Sequence, residues 1–143
     1  MRIYVDTSFL VSLYTVDANS SSAVALMTNS SDTHIITGFV ELEARNALQL
    51  RVFRKEISSQ QAQASWNDLE NDVRVGVLEL RALPDRVFER AHELSEKTTA
   101  RLGTRTADLL HVAAALEIGV DCLYSFDQQQ RKLAQAVRLK VKP

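Results

Sequence analysis

Arg2-Ile3-Tyr4-Val5-Asp6-Thr7-Ser8-Phe9-Leu10 is an apolar run that breaks into an acid followed by two hydroxyl residues. Ile3, Tyr4 and Val5 favour a pleated strand, and Thr7-Ser8 is the kind of pair that caps a following helix, expected here over residues 9–14. Asp6 is therefore expected on the turn where a strand hands over to a helix. In open α/β sheets, ligands bind beyond the carboxyl ends of the strands, so an acid on such a turn is a candidate for chemistry. Taken alone, it reads as an ordinary Asx-type turn residue. The functional reading requires other acids to reach the same edge.

The rest of the chain supplies them in a strand–helix alternation. Residues 18–27 read as a short helix and His34-Ile35-Ile36-Thr37 as a second strand with Gly38 as its exit. A long helical pattern follows from residue 39 to about residue 55. On its wheel Phe39, Val40, Leu42, Ala47, Leu50 and Phe53 cover one broad arc, and Glu43 falls near the middle of it. An ionised acid there is costly unless another element pairs with it. Glu41, by contrast, precedes Arg45 by four residues in the order that favours a surface ion pair.

Ser58-Ser59-Gln60-Gln61 opens a further helix to about residue 72, with Trp66 and Leu69 on its inner face. Val75-Gly76-Val77-Leu78-Glu79-Leu80 is a third strand, and Pro84 is expected in the first turn of a helix over residues 85–99. Val87, Phe88, Ala91 and Leu94 should face inward from that helix.

The pattern over residues 107–118 is apolar nearly all round, which places it at the centre of the fold. Asp108 lies in its first turn, where the helix dipole favours an acid, and His111 shares its face, as a potential partner behind the acid. Cys122-Leu123-Tyr124-Ser125-Phe126-Asp127 then repeats the opening design of an apolar strand, a hydroxyl and a terminal acid. A last helix over residues 128–136 leads to Arg138-Leu139-Lys140-Val141, an edge strand.

Strands alternating with helices indicate a three-layer α/β/α sandwich around a mostly parallel sheet of four to five strands, because parallel neighbours need crossover connections. At 143 residues the chain has the length of one domain, residues 1–143. Its hydrophobic fraction of 45% and charged fraction of 24% are those of a soluble protein without a membrane span or secretory signal. The single Cys122 reads as a small core residue, and a cytoplasmic location is expected. A net charge of −1 argues against broad electrostatic gripping of nucleic acid. Two basic clusters remain, Arg45, Arg51, Arg54 and Lys55, and Arg131, Lys132, Arg138, Lys140 and Lys142. Each reads as a solvated face unless an acidic site lies beside it.

In a parallel sheet Asp6 and Asp127 end strands at one edge, while Glu43 and Asp108 sit on helices that can reach it. Two unit charges about 5 Å apart repel by about 3 kcal/mol at an effective dielectric near 20, so four gathered carboxylates call for a cation. Oxygen ligands without a His or Cys set favour Mg²⁺ or Mn²⁺ over Zn²⁺. Such ions activate water and shield phosphoryl oxygens during in-line displacement.

Val5-Asp6-Thr7-Ser8, Glu43-Ala44-Arg45-Asn46-Ala47-Leu48, Asp108-Leu109-Leu110-His111-Val112-Ala113-Ala114-Ala115 and Ser125-Phe126-Asp127 together resemble the successive motifs of PIN-domain nucleases. In length and layout the chain is similar to the VapC toxins of toxin–antitoxin pairs. The resemblance implies a PIN-like fold and a Mg²⁺- or Mn²⁺-dependent endoribonuclease that cuts single-stranded or looped RNA, leaving 5′-phosphate and 3′-hydroxyl ends. It also implies a homodimer and a small inhibitory antitoxin. By position it makes Asp6, Glu43, Asp108 and Asp127 metal-binding acids, with Ser8 and Ser125 orienting water or a carboxylate. Ser125 stands where the family often has Thr. The rival expectation is a non-catalytic module of this fold that binds RNA or a protein. A phosphatase of α/β type would need a second acid two residues after Asp6, where Ser8 stands.

Overall fold

A computed structural model describes residues 1–28 and 30–143. These form five strands and seven helices in the order β1 (Arg2–Val5), α1 (Thr7–Tyr14), α2 (Ser20–Thr28), β2 (Thr33–Thr37), α3 (Gly38–Phe53), α4 (Ser59–Arg74), β3 (Leu78–Arg81), α5 (Val87–Leu102), α6 (Thr106–Ile118), β4 (Cys122–Tyr124), α7 (Gln128–Ala136) and β5 (Lys140–Lys142). The strands make one sheet in the order β3-β2-β1-β4-β5, and every adjacent pair is parallel. The expected sandwich and parallel sheet are borne out.

Chain direction and handedness then set the layers. The path moves outward from β1 to β2 to β3, returns to β4 on the other side of β1, and continues to β5. Right-handed crossovers put α1 to α4 on one face and, because the direction of travel reverses, α5 to α7 on the other. Packing agrees, since α1 touches α2, α3 and α4 while α5, α6 and α7 touch one another. The reversal falls between β1 and β4, which opens a crevice beyond their carboxyl ends.

The core follows from burial on both faces of the sheet. Ile3, Tyr4, Val5, Ile35, Ile36 and Leu123 are fully buried. Phe9 of α1 lies 5.4 Å from Phe126, with the two rings nearly parallel, and 5.1 Å from Tyr124, which ties the first helix to the end of β4. Helix α6 buries Leu109, Val112, Ala113, Ala114 and Ala115, as its all-round apolar pattern requires. Cys122 is buried in β4.

Several local expectations are corrected. Asp6, not Thr7-Ser8, is the N-cap of α1, its carboxylate accepting from the Phe9 amide; both hydroxyl residues lie inside the helix and turn toward other partners. β3 starts at Leu78 because α4 runs on to Arg74 and Gly76 makes the turn with φ of +83°. Pro84 stands before α5, in a turn closed by the Val87 amide on its carbonyl, and Phe88 of that helix is exposed. The broad apolar arc of α3 is split. Val40, Ala44 and Leu48 meet the core, whereas Leu42, Leu50 and Phe53 face outward. An arc wider than the contact that a helix makes with a sheet leaves one flank uncovered, and Glu43 lies between the two flanks.

Two substitutions test this packing. Leu123→Ala removes a fully buried side chain from a central strand and should lower unfolding free energy by about 3 kcal/mol. Ser58→Ala breaks the capping box of α4, in which Ser58 and Gln61 bond reciprocally, and should cost about 1 kcal/mol. Both are measured by urea denaturation; equal costs would mean that Leu123 is not core.

Candidate active site

Three of the five strands end in a side chain that caps the next helix. Asp6 follows β1 and caps α1, Thr37 ends β2 and caps α3, and Asp127 follows β4 and caps α7. A cap must sit at the carboxyl edge with its side-chain oxygen turned back to free amide groups. Two of the three caps are the acids singled out from the sequence. The cap expectation and the functional expectation for Asp6 therefore describe the same carboxylate.

Asp6, Glu43, Asp108 and Asp127 all line one cavity of about 550 Å³ at this edge, together with Thr7, Ser8, His111, Gln130 and the guanidinium-bearing Arg51, Arg54 and Arg105. Asp6 is 1% exposed and accepts from the Phe9 amide at 2.8 Å, from Ser8 Oγ at 2.8 and 3.0 Å, and from Gln130 Nε2 at 2.9 Å. Burial pushes its carboxyl above the ordinary carboxylate range, against hydrogen bonding from Ser125, Phe9 and Ser8 and the charge of His111. Ser8 also joins the two halves of the edge, its Oγ accepting from the amides of Phe126 at 2.9 Å and Asp127 at 3.2 Å. Ser125, fully buried, accepts from the Asp127 amide at 3.1 Å.

Glu43 is paired from another element. Thr7 Oγ1 donates to it at 2.7 Å, and His111 Nε2 of α6 is in a short hydrogen bond with the same oxygen. His111 Nδ1 lies 3.2 Å from the Tyr4 hydroxyl, which in turn lies 3.3 Å from Thr37 Oγ1. With a proton on Nε2 toward Glu43, Nδ1 accepts from the Tyr4 hydroxyl in the neutral ring and donates to it in the charged ring, so the chain of contacts holds in either state. Burial pushes Glu43 upward, yet the hydrogen bond and charge of His111, with Thr7 and Arg105, outweigh it and hold the carboxyl below its ordinary range. His111 was expected beside Asp108; its ring instead reaches across to α3.

Asp108 is 1% exposed, and its partner is Arg105, one turn earlier. The Arg105 amide, Nε and Nη2 each donate to it at 3.1 Å. The same Nη2 donates to Asp127 Oδ2 at 2.8 Å. Asp127 meanwhile accepts from the amides of Gln129 at 2.9 Å and Gln130 at 3.1 Å. Burial raises its carboxyl, but those amides and Arg105 outweigh it and set the net shift downward.

The four acids thus share a cavity, and each is held by donors of the chain. Among the described residues, no group of three or more His, Cys, Asp or Glu is arranged to hold a metal ion. The donor chemistry nonetheless fits a hard divalent cation, because the cavity offers carboxylate and hydroxyl oxygens and no cysteine. Sequence reasoning missed Thr7, Gln130 and Arg105. Arg105 alone left a signal, the three-residue spacing to Asp108 that suits an ion pair at a helix start. Of the basic residues expected on a solvated face, Arg51 and Arg54 line this cavity, while Arg45 stacks 4.3 Å over Trp66.

Comparison with known proteins gives this arrangement its relatives. Among solved structures, VapC20 of Mycobacterium tuberculosis, a sarcin-ricin loop cleaving toxin, matches with a TM-score of 0.73 at 22% identity over 99% of both chains. VapBC2 from Rickettsia felis, bound to a DNA fragment from their promoter, gives 0.68 at 16% identity over 99% of this chain and 98% of that one. VapBC-1 from nontypeable Haemophilus influenzae gives 0.66 at 12% identity over 99% and 97%. These likenesses establish a shared fold. No curated protein sequence matches the chain significantly. The family model of the PIN domain matches residues 3–136, nearly the full length, and the chain belongs to the PIN domain family.

Proposed function

We propose that this protein is a Mg²⁺- or Mn²⁺-dependent endoribonuclease that cuts single-stranded or looped RNA, and that it is the toxin of a cytoplasmic toxin–antitoxin pair. The observation that carries this reading is the convergence of Asp6, Glu43, Asp108 and Asp127 on one cavity at the carboxyl edge of a parallel sheet. Membership of the PIN family and the fold shared with VapC20 support it.

Asp6, Glu43, Asp108 and Asp127 would hold the cation, which when bound supplies charge for the phosphoryl oxygens and lowers the pKa of water. The chain's own contribution is positioning. Asp6 is fixed by an amide, a hydroxyl and a carboxamide, so its oxygens keep one direction without an induced change. Ser8 keeps Asp6 and Asp127 at constant separation by bonding both, the carboxylate of one and the amide of the other. His111 and Thr7 orient Glu43 by bonding the same carboxylate oxygen, Oε1. Arg54, on the cavity wall, offers positive charge to phosphates flanking the cut, and Arg51 beside it is paired with Asp17.

A local basic residue beside an acidic pocket suits a chain whose net charge is only −1. We assign the partners by the same reading, as RNA substrate, a small antitoxin protein and a second copy of this chain. Exposed Leu42 and Phe53 on α3 leave apolar surface for protein contact. A specific observation also supports a non-catalytic RNA- or protein-binding module: Arg105 already neutralises Asp108 and Asp127.

Purified protein should cleave RNA with Mg²⁺ or Mn²⁺ and stop in excess chelator, and Asp6→Asn should lower the rate by about a hundredfold or more. RNA binding that survives Asp6→Asn, with no cleavage under either metal, would establish the binding module instead. Stability gives an independent check. Because Asp6 has a raised pKa in the folded state, its ionisation opposes folding, and that penalty appears as pH rises through the folded value. Metal-free Asp6→Asn should therefore melt about 3 °C above wild type at pH 7, the gap closing as the solution is acidified. A lower melting temperature at neutral pH would show that the charge itself stabilises the fold.

A further inference from the structure

The carboxylates of the cavity differ in what holds them. Asp6 is held by neutral donors, and Glu43 by a hydroxyl and an imidazole. Asp108 and Asp127 are held by a guanidinium, a permanent cation that spans both. Neutral donors can stay in place when a metal ion enters, because each carboxylate oxygen has more than one lone pair. A guanidinium in bidentate contact occupies both oxygens of Asp108 and repels any second cation beside them. Arg105 is also built to leave. Its side chain is 62% exposed, whereas that of Asp108 is 2% exposed. The bond from the Arg105 amide to Asp108 is made by the backbone, so it is available with Gln or Lys at this position.

We propose that Arg105 is a positioning residue that acts as a displaceable latch: it holds Asp108 and Asp127 in place in the cation-free protein and must release them before a divalent cation can use either carboxylate. The inference rests on the reading of this cavity as a cation site. It gives the protein an energetic threshold for loading, set by an ion pair within its own chain. The freed guanidinium stays tethered at the mouth of the cavity, where its paired N–H groups match the oxygens of a phosphodiester. Loading would then exchange a carboxylate contact for a substrate contact at the same residue.

The test is Mn²⁺ binding without RNA, followed by the electron paramagnetic resonance signal of free Mn²⁺, in wild type, Arg105→Gln and Arg105→Lys. Arg105→Gln should bind Mn²⁺ about tenfold more tightly than wild type, and Arg105→Lys, which keeps the charge but loses the bidentate fork, should fall between them. Adding Asp6→Asn to Arg105→Gln should abolish the gain, which assigns it to this cavity. Equal or weaker binding by Arg105→Gln, with wild type still binding, would overturn the latch and leave the cation site standing. If neither wild type nor Arg105→Gln binds Mn²⁺, the cation reading of the cavity fails and the latch with it.

Discussion

The buried carboxylate of Asp6 is the contact on which the site depends. It ends β1, caps α1 through the Phe9 amide and receives Gln130 from α7, so one side chain joins the central strand to helices on both faces of the sheet. A charge removed from water is costly unless several donors surround it. Here Ser8, the Phe9 amide and Gln130 do so without any cation in direct contact. That leaves a negative charge at the one place where the strand order reverses and the sheet opens a crevice. Stability and function pull on the same group: burial opposes the charge on Asp6, and the donors around it offset part of that cost.

Convergence of the other acids follows from topology. The crossovers after β1 and β2 run on one face and bring Glu43 on α3. The returning crossover and the one after β4 run on the other face and bring Asp108 and Asp127. Helices antiparallel to the strands start at the carboxyl edge, so residues of their first two turns lie close to it. Residues far apart in the chain thus meet because a parallel sheet sends every strand out through the same side. Electrostatics then separates them into two pairs of environments, with Asp6 and Glu43 tied to neutral or titratable partners and Asp108 and Asp127 tied to Arg105.

Much of this was legible in the sequence because the signals are local. Apolar runs ending in Asp6 and Asp127, the all-round apolar pattern of α6 and the polar breaks between elements carry the alternation, and the alternation carries the parallel sheet. Glu43 stood out as an acid inside an apolar arc, and it is indeed paired from another element. What was not legible depends on distance in space. The split of the α3 arc into a buried and an exposed flank is decided by where the sheet lies, and nothing in residues 38–53 encodes that. Gln130, one of three consecutive glutamines, acquires its role only because α7 packs beside Asp6. His111 was expected beside its sequence neighbour Asp108, yet Tyr4 and Glu43 capture it across the fold.

Everything at this edge turns on whether these carboxylates take a hard cation in common. Crystals grown without metal and then soaked in Mn²⁺ would show its position by anomalous scattering. A shared cation site gives one strong peak in the cavity, bonded to Asp6 and to at least one acid from the opposite face, with the Arg105 guanidinium moved off Asp108 and Asp127. A cavity without a peak under saturating Mn²⁺, its acids still held by Arg105, Gln130 and His111, would contradict it.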